Sequence, residues 1–160
     1  MKWKNYDSDL FDKVRNDSDK IIRNPGAPIT ASDIYPAAIR QSGINIAEAG
    51  LSDFIRLQSA DFKEIRKEDT HEVIFMNPPY GIRLQPEETE SLYSMIGSNL
   101  KHNFSGCSAW IVTSFPGARK SIGLKPAAKH VLFNGALQCD LLKYELYSGS
   151  RKPASSQNTI

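Results

Sequence analysis

Asn77-Pro78-Pro79-Tyr80 stands directly after the apolar run Val73-Ile74-Phe75-Met76. Two consecutive prolines restrict φ at positions 78 and 79, and Pro78 also holds Asn77 in extended geometry. A corner this stiff offers the Asn77 amide oxygen and the Pro78 carbonyl as acceptors that need no reorganisation. Tyr80 adds a flat aromatic face. The plainer alternative is a rigid turn that only stops the strand. Two acids occupy comparable places earlier in the chain. Asp33 closes the stretch Ile29–Asp33, and Asp61, followed by Phe62, comes shortly after Phe54–Gln58. An acid behind a strand in a βαβ unit commonly accepts from ribose hydroxyls. The alternatives are a helix N-cap for Asp33 and, for Asp61 and Phe62, a surface-turn acid beside an anchoring phenyl.

Those residues need strands and helices to position them, and the pattern supplies both. Leu10, Phe11, Val14, Ile21 and Ile22 recur at roughly helical spacing behind Asp7, Ser8 and Asp9, predicting a helix over the first two dozen residues. Asn24-Pro25-Gly26 ends it. Ile29–Asp33 reads as a strand, and Pro36 through Ala49, closed by Gly50, as a helix. Phe54–Gln58 is the next strand, and Lys63–Asp69 a charged loop or short helix. Val73–Met76 looks like a strand buried on both faces. A helix over Glu87–Asn103 follows, opened by Pro86 and an acidic first turn, and then a strand over Ala109–Val112. His130–Phe133 and Leu141–Tyr147 read as strands near an Asn134-Gly135 turn, an antiparallel pair. The fold class is therefore α/β, a mostly parallel sheet with an antiparallel C-terminal hairpin. Ligands in such open sheets sit beyond the carboxyl ends of the strands, where Asp33, Asp61 and Asn77 all fall. Trp110 and Phe133, lying in apolar strands, are assigned to the core, and Cys139 to buried packing.

The chain has 160 residues, 40% hydrophobic and 24% charged, which suits a single globular domain. No apolar run approaches the roughly 18 residues of a membrane span, and the N-terminus lacks a secretory h-region. Cys107 and Cys139 lie far apart without metal-ligand spacing. No metal site is expected, and a reducing, cytoplasmic setting is. Charge is uneven. Residues 1–100 hold 12 Lys and Arg against 16 Asp and Glu, or −4, whereas residues 101–160 hold 8 against 2, or +6. That asymmetry points to a polyanionic partner for the C-terminal part. Arg119, Lys120, Lys125, Lys129 and His130 form its basic stretch, a contact for an RNA backbone or a solvated loop. Arg83 is a further candidate for a phosphate or a neighbouring base. Residues 149–160 read as a flexible basic tail behind a domain spanning 1–148.

Asn-Pro-Pro-Tyr in this setting resembles motif IV of the S-adenosylmethionine-dependent methyltransferases that modify exocyclic amines of nucleobases. The longer stretch Asn77-Pro-Pro-Tyr-Gly-Ile-Arg-Leu84, with Leu132-Phe-Asn-Gly-Ala-Leu-Gln-Cys139, is similar to the catalytic domain of the THUMP-associated RNA guanine-N2-methyltransferases. The resemblance runs from about Met1 to Tyr147. It implies a Rossmann-like class I methyltransferase fold and S-adenosylmethionine as cofactor. The reaction implied is methyl transfer to the exocyclic amine of guanine in ribosomal RNA or tRNA. Asn77, Pro78, Pro79 and Tyr80 would form the catalytic corner, with Tyr80 stacking on an extruded base. Asp33 would take the ribose hydroxyls of the cofactor, Asp61 its adenine amine, and Phe62 the adenine face. Arg83, Arg119 and Lys120 would meet the RNA.

The family's fold opens with a strand running into a glycine-rich loop, and nothing before Ile29 supplies either; the THUMP region that precedes the domain is absent too. The chain is accordingly expected to be a C-terminal part of the catalytic domain, missing the first strand and incomplete on its own. The flanks of Ile29–Asp33 and Val73–Met76 would then be open sheet edges that invite self-association. A DNA adenine-amine methyltransferase, sharing Asn-Pro-Pro-Tyr, and a non-catalytic RNA-binding fragment are the alternatives.

Overall fold

The computed structural model describes residues 4–23, 26–27, 29–68, 72–79 and 85–147. They form two compact units that divide after Ala60. In the first, Asp7 caps helix α1 (Ser8–Asp19), its Oδ1 accepting from the amides of Asp9 and Leu10, each at 3.0 Å. The helix stops sooner than its apolar spacing suggests. The amides of Ile21 and Ile22 bond back to Ser18 and Asp19, a tightening to three-residue spacing that ends the helical ladder. Strand β1 (Ile29–Asp33) leads into helix α2 (Pro36–Glu48), which begins on a proline already set for helical φ. Gly50, at φ 69°, turns the chain toward β2 (Ile55–Ser59). β1 and β2 pair in parallel, Ile29 opposite Ile55 and Asp33 opposite Ser59. No described residue of this unit is fully buried.

The second unit holds a true core. Its strands β3 (Val73–Met76), β4 (Ser108–Thr113), β5 (Ala128–Asn134) and β6 (Leu137–Glu145) lie in the order β3-β4-β6-β5. β3 and β4 are parallel, while β6 runs antiparallel to both β4 and β5. Among the described residues, helix α3 (Pro86–Asn103) and the short helix α4 (Ala118–Ile122) are the α-helices of this unit. Glu88 caps α3 by accepting from the Gln85 amide at 3.1 Å. Tyr93, Ile96 and Leu100 of α3 meet Ala109 and Ile111 of β4, Leu142 and Tyr144 of β6, and Ala118 and Ile122 of α4. A run of alternating burial along β4 and β6 follows from that one covered face.

Among the described residues the ladders are β1-β2 and β3-β4-β6-β5, parallel at β1-β2 and β3-β4 and antiparallel around β6, in keeping with the α/β reading and its antiparallel C-terminal hairpin. Two expectations are corrected here. Val73–Met76 is not buried on both faces: Ile74 and Met76 pack on the core, whereas Val73 and Phe75 are 69% and 67% exposed. The reason is that α3 and α4 pack on one face only. Phe133, assigned to the core, is 70% exposed, because β5 is an edge strand. Among the described residues β1 pairs only with β2 and β3 only with β4, so the flanks named above carry no ladder partner.

Packing of α4 on α3 depends on Gly97. A β-carbon there would lie 1.9 Å from the Ile122 carbonyl oxygen, a backbone atom that cannot step aside alone. Gly97→Ala is expected to destabilise this unit by about 1–3 kcal/mol, read as a lower midpoint in denaturant with the slope unchanged.

Candidate active site

Asn77 leaves β3 at the carboxyl end of the strand. Met76 is paired with Ile111, and β4 continues two residues further to Thr113. Pro78 is buried while Asn77 and Pro79 are exposed, so the corner is anchored by its middle residue and presents the amide at the surface. Among the described residues the Asn77 side chain makes no hydrogen bond, which leaves its oxygen available to a ligand. Tyr80 and Arg83 lie outside the described residues.

The neighbouring end of β4 is braced from within. The hydroxyls of Tyr93 and Thr113 are 2.6 Å apart, and the Phe115 amide donates to Thr113 Oγ1 at 3.0 Å. The Phe115 ring packs on Tyr93 with centroids 5.4 Å apart, and Gly117 leaves room for that ring. Sequence reasoning did not find this brace, since neither Tyr93 nor Thr113 belongs to a motif; a threonine ending an apolar strand was the one available signal. Close by, burial pushes the Tyr144 phenol up to about 12, with Arg119 pulling the other way. Among the described residues its buried hydroxyl has no hydrogen-bond partner.

Asp61 is partly committed to local structure. Its Oδ1 accepts from the Lys63 amide at 3.0 Å and its Oδ2 pairs with Lys63 Nζ at 3.1 Å, capping a 3-10 turn at Phe62–Glu64. The Lys63 amide first, and then its ammonium, hold the Asp61 carboxyl below the usual carboxylate range, so it stays charged at neutral pH. The Phe62 ring stacks on Phe104 with centroids 5.6 Å apart and packs against the core, so one ring face is occupied. In the first unit, Asp33 is half-buried at the end of β1. Its Oδ1 accepts from the Tyr35 amide at 2.8 Å, and among the described residues Oδ2 has no partner. Asp33 is thus not the N-cap of α2, which is Tyr35, but the head of an Asx turn before it. Its backbone carbonyl accepts from Ala60, the residue preceding Asp61, at 3.1 Å.

The basic stretch does not form one patch. Arg119 and Lys120 are exposed on α4. Lys129 pairs with Asp140 at 2.7 Å. His130 lies on the opposite face of β5, stacked on Trp110 with centroids 6.2 Å apart. Lys143 covers the same indole, 5.3 Å from its centroid. Alternation along β5 explains the split, because Lys129 and His130 are successive residues of a strand. Among the described residues no three His, Cys, Asp or Glu gather as a metal site, and no helix is long and apolar enough to cross a membrane.

With this geometry the relatives are informative. Residues 2–143 match the family model described as RMKL-like, methyltransferase domain. A Synechocystis sp. protein named as an RNA methyltransferase is 33% identical over 149 residues, covering 92% of this chain and 39% of its own length. The ribosomal RNA large subunit methyltransferase K/L of Allochromatium vinosum is 31% identical over 151 residues, covering 90% of this chain and 20% of its own. A crystal structure of a protein described as a methyltransferase, complexed with SAH, superposes with TM-score 0.78 at 25% identity, over 92% of this chain and 40% of that one. The chain thus spans about two fifths of the first relative and one fifth of the second. The architecture is that of the Rossmann-like class I methyltransferases, and the resemblance carried by Asn77–Leu84 and Leu132–Cys139 is borne out. The chain belongs to the family of RMKL-like methyltransferase domains.

Proposed function

We propose that this chain is the catalytic part of an S-adenosylmethionine-dependent RNA methyltransferase acting on the exocyclic amine of guanine in ribosomal RNA. The observation that carries the reading is the corner Asn77-Pro78-Pro79: anchored by a buried proline at the end of β3, with an exposed amide that nothing in the described chain occupies. The names of the relatives supply the RNA, and Asp33 Oδ2, which has no partner among the described residues, fits a ribose hydroxyl of the cofactor. Lys63, which already binds both oxygens of Asp61, leaves that carboxylate its remaining lone pairs for an adenine amine.

An amine on a purine ring is a poor nucleophile because its lone pair is delocalised into the ring. Asn77 Oδ1 and the Pro78 carbonyl each accept one of its N–H bonds, which favours a pyramidal nitrogen and turns the lone pair outward. When bound, the cofactor supplies a methyl group on a sulfonium. Asn77, being exposed, would leave the amine proton displaced by that methyl group a path to solvent. Because the corner is held by two ring-fixed φ angles, the acceptors are in place before the reaction begins. Tyr80, by its place in the motif, stacks on the extruded base.

Incubation of the longer protein that carries this chain with methyl-labelled cofactor and transcribed large-subunit ribosomal RNA is expected to yield N2-methylguanosine on digestion. Label in an adenine amine of duplex DNA, with none in RNA, would replace this reading by the DNA one. RNA binding without cofactor uptake would leave a non-catalytic fragment. Asn77→Ala is expected to lower turnover about 100-fold or more with cofactor affinity nearly unchanged. Asp33→Asn should do the reverse, weakening cofactor binding in a calorimetric titration by about 1–3 kcal/mol while sparing RNA affinity.

A further inference from the structure

The stretch Leu132–Cys139 identifies the family, yet the chemistry above gives it no task. Its place in the fold suggests one. β5 is antiparallel to β6 and β6 to β4, so β5 runs in the same direction as β4 and β3. The turn at Gly135 therefore lies at the same end of the four-stranded sheet as Asn77. β4 stops where Thr113 faces Asp140, whereas the β5–β6 ladder goes on through Leu132–Cys139, Phe133–Gln138 and Asn134–Leu137. Three residue pairs at about 3.3 Å each carry the hairpin about 10 Å past its neighbour. Gly135, at φ 62°, heads a two-residue connection that matches the twist of the strands and makes the hairpin stiff.

The overhang is not polar, as a solvated turn would be. Phe133 is 70% exposed, Leu132 41% and Leu137 47%. Register puts Phe133 on the same face of the sheet as Leu142, which is the face that α3 and α4 cover. α4 starts just beyond the carboxyl end of β4 and bears exposed Arg119 and Lys120, neither of which makes an ion pair among the described residues. An exposed aromatic ring thus shares one face with two uncompensated cations, at the end of the sheet that holds the proline corner. A folded protein partner would match the apolar tip but not the free positive charge. A nucleic-acid strand matches both, through stacking and through phosphate.

We propose that the β5–β6 hairpin tip is an RNA-contact element in which Phe133 stacks on a base adjoining the extruded one while Arg119 and Lys120 hold the flanking phosphates. The proposal rests on the RNA reading above and adds to it the element that grips the strand beside the target.

The test is fluorescence anisotropy of the whole chain with a labelled fragment of large-subunit ribosomal RNA, over a series of salt concentrations. Phe133→Ala is expected to weaken binding about 5- to 150-fold, while Phe133→Tyr keeps it. Lys120→Gln should weaken binding of every sequence alike and lower the salt slope by about one. Because Phe133 is exposed, thermal unfolding of Phe133→Ala should match the unsubstituted chain. Equal RNA affinity for Phe133→Ala would overturn the proposal, as would absence of RNA binding by the unsubstituted chain. A change in sedimentation with RNA affinity intact would assign the tip to protein association instead. Cofactor titration of the same variants separates the two readings: unchanged cofactor uptake beside an unaltered RNA affinity removes the hairpin role and leaves the methyltransferase intact.

Discussion

The parallel ladder between β3 and β4 is the constraint on which this structure turns. Four residue pairs, from Val73–Ser108 to Met76–Ile111, decide where the chain is released into Asn77-Pro78-Pro79. So short a ladder would slip if nothing pinned its inner member. β4 is pinned twice, by its antiparallel pairing with β6 along its whole length and by the Tyr93 hydroxyl against Thr113. A one-residue slip of β3 would turn Ile74 and Met76 to solvent and exchange them for Val73 and Phe75. The buried ring of Pro78 adds the last restraint. Position at the site is therefore inherited from the core of the second unit, through a strand too short to hold it alone.

How much of this was legible in the sequence depends on whether local chemistry or tertiary cover decides each feature. Val73–Met76 and the proline corner are local, since apolar runs and fixed φ act within a few residues, and both stand where the pattern put them. The glycine turn falls one residue later than expected, at Gly135-Ala136, with Asn134 still in β5 and β6 starting at Leu137. Helix α4 escaped notice because five residues between Gly117 and Gly123 are too few to show a period. One-sided burial of β3 and the exposure of Phe133 were hidden for a different reason. A run such as Val-Ile-Phe-Met is equally apolar whether one face is covered or two, and only the helices on the sheet decide. The basic stretch failed in the same way, since adjacency in sequence became opposition across a strand at Lys129 and His130.

The two units differ in what sustains them. In the second, side chains of α3, β4 and β6 are removed from water together, and burying each large apolar side chain is worth roughly 1.5–3 kcal/mol. In the first, a two-stranded parallel ladder and two helices leave every described residue at least partly exposed. Ladders of two strands are marginal without further cover. Asp33 is held at its strand end by an Asx turn and the β1-β2 ladder, so the acid proposed for the cofactor sits on the softer support, and the amide proposed for the amine on the harder one.

That division suits the chemistry. A carboxylate accepting from ribose hydroxyls tolerates small shifts, because charge-assisted hydrogen bonds keep much of their strength over a few tenths of an ångström. Two acceptors that must meet both N–H bonds of one nitrogen and leave its lone pair in line with a methyl group have far less latitude. Stiffness is concentrated where geometry is most demanding: fixed φ angles at Pro78 and Pro79, a buried anchor beneath them, and a braced strand alongside. In the proposed RNA contact the cations of α4 would need no such precision, since phosphate attraction acts over several ångströms. Arg119 and Lys120 accordingly sit exposed on the five-residue helix α4, which follows the carboxyl end of β4.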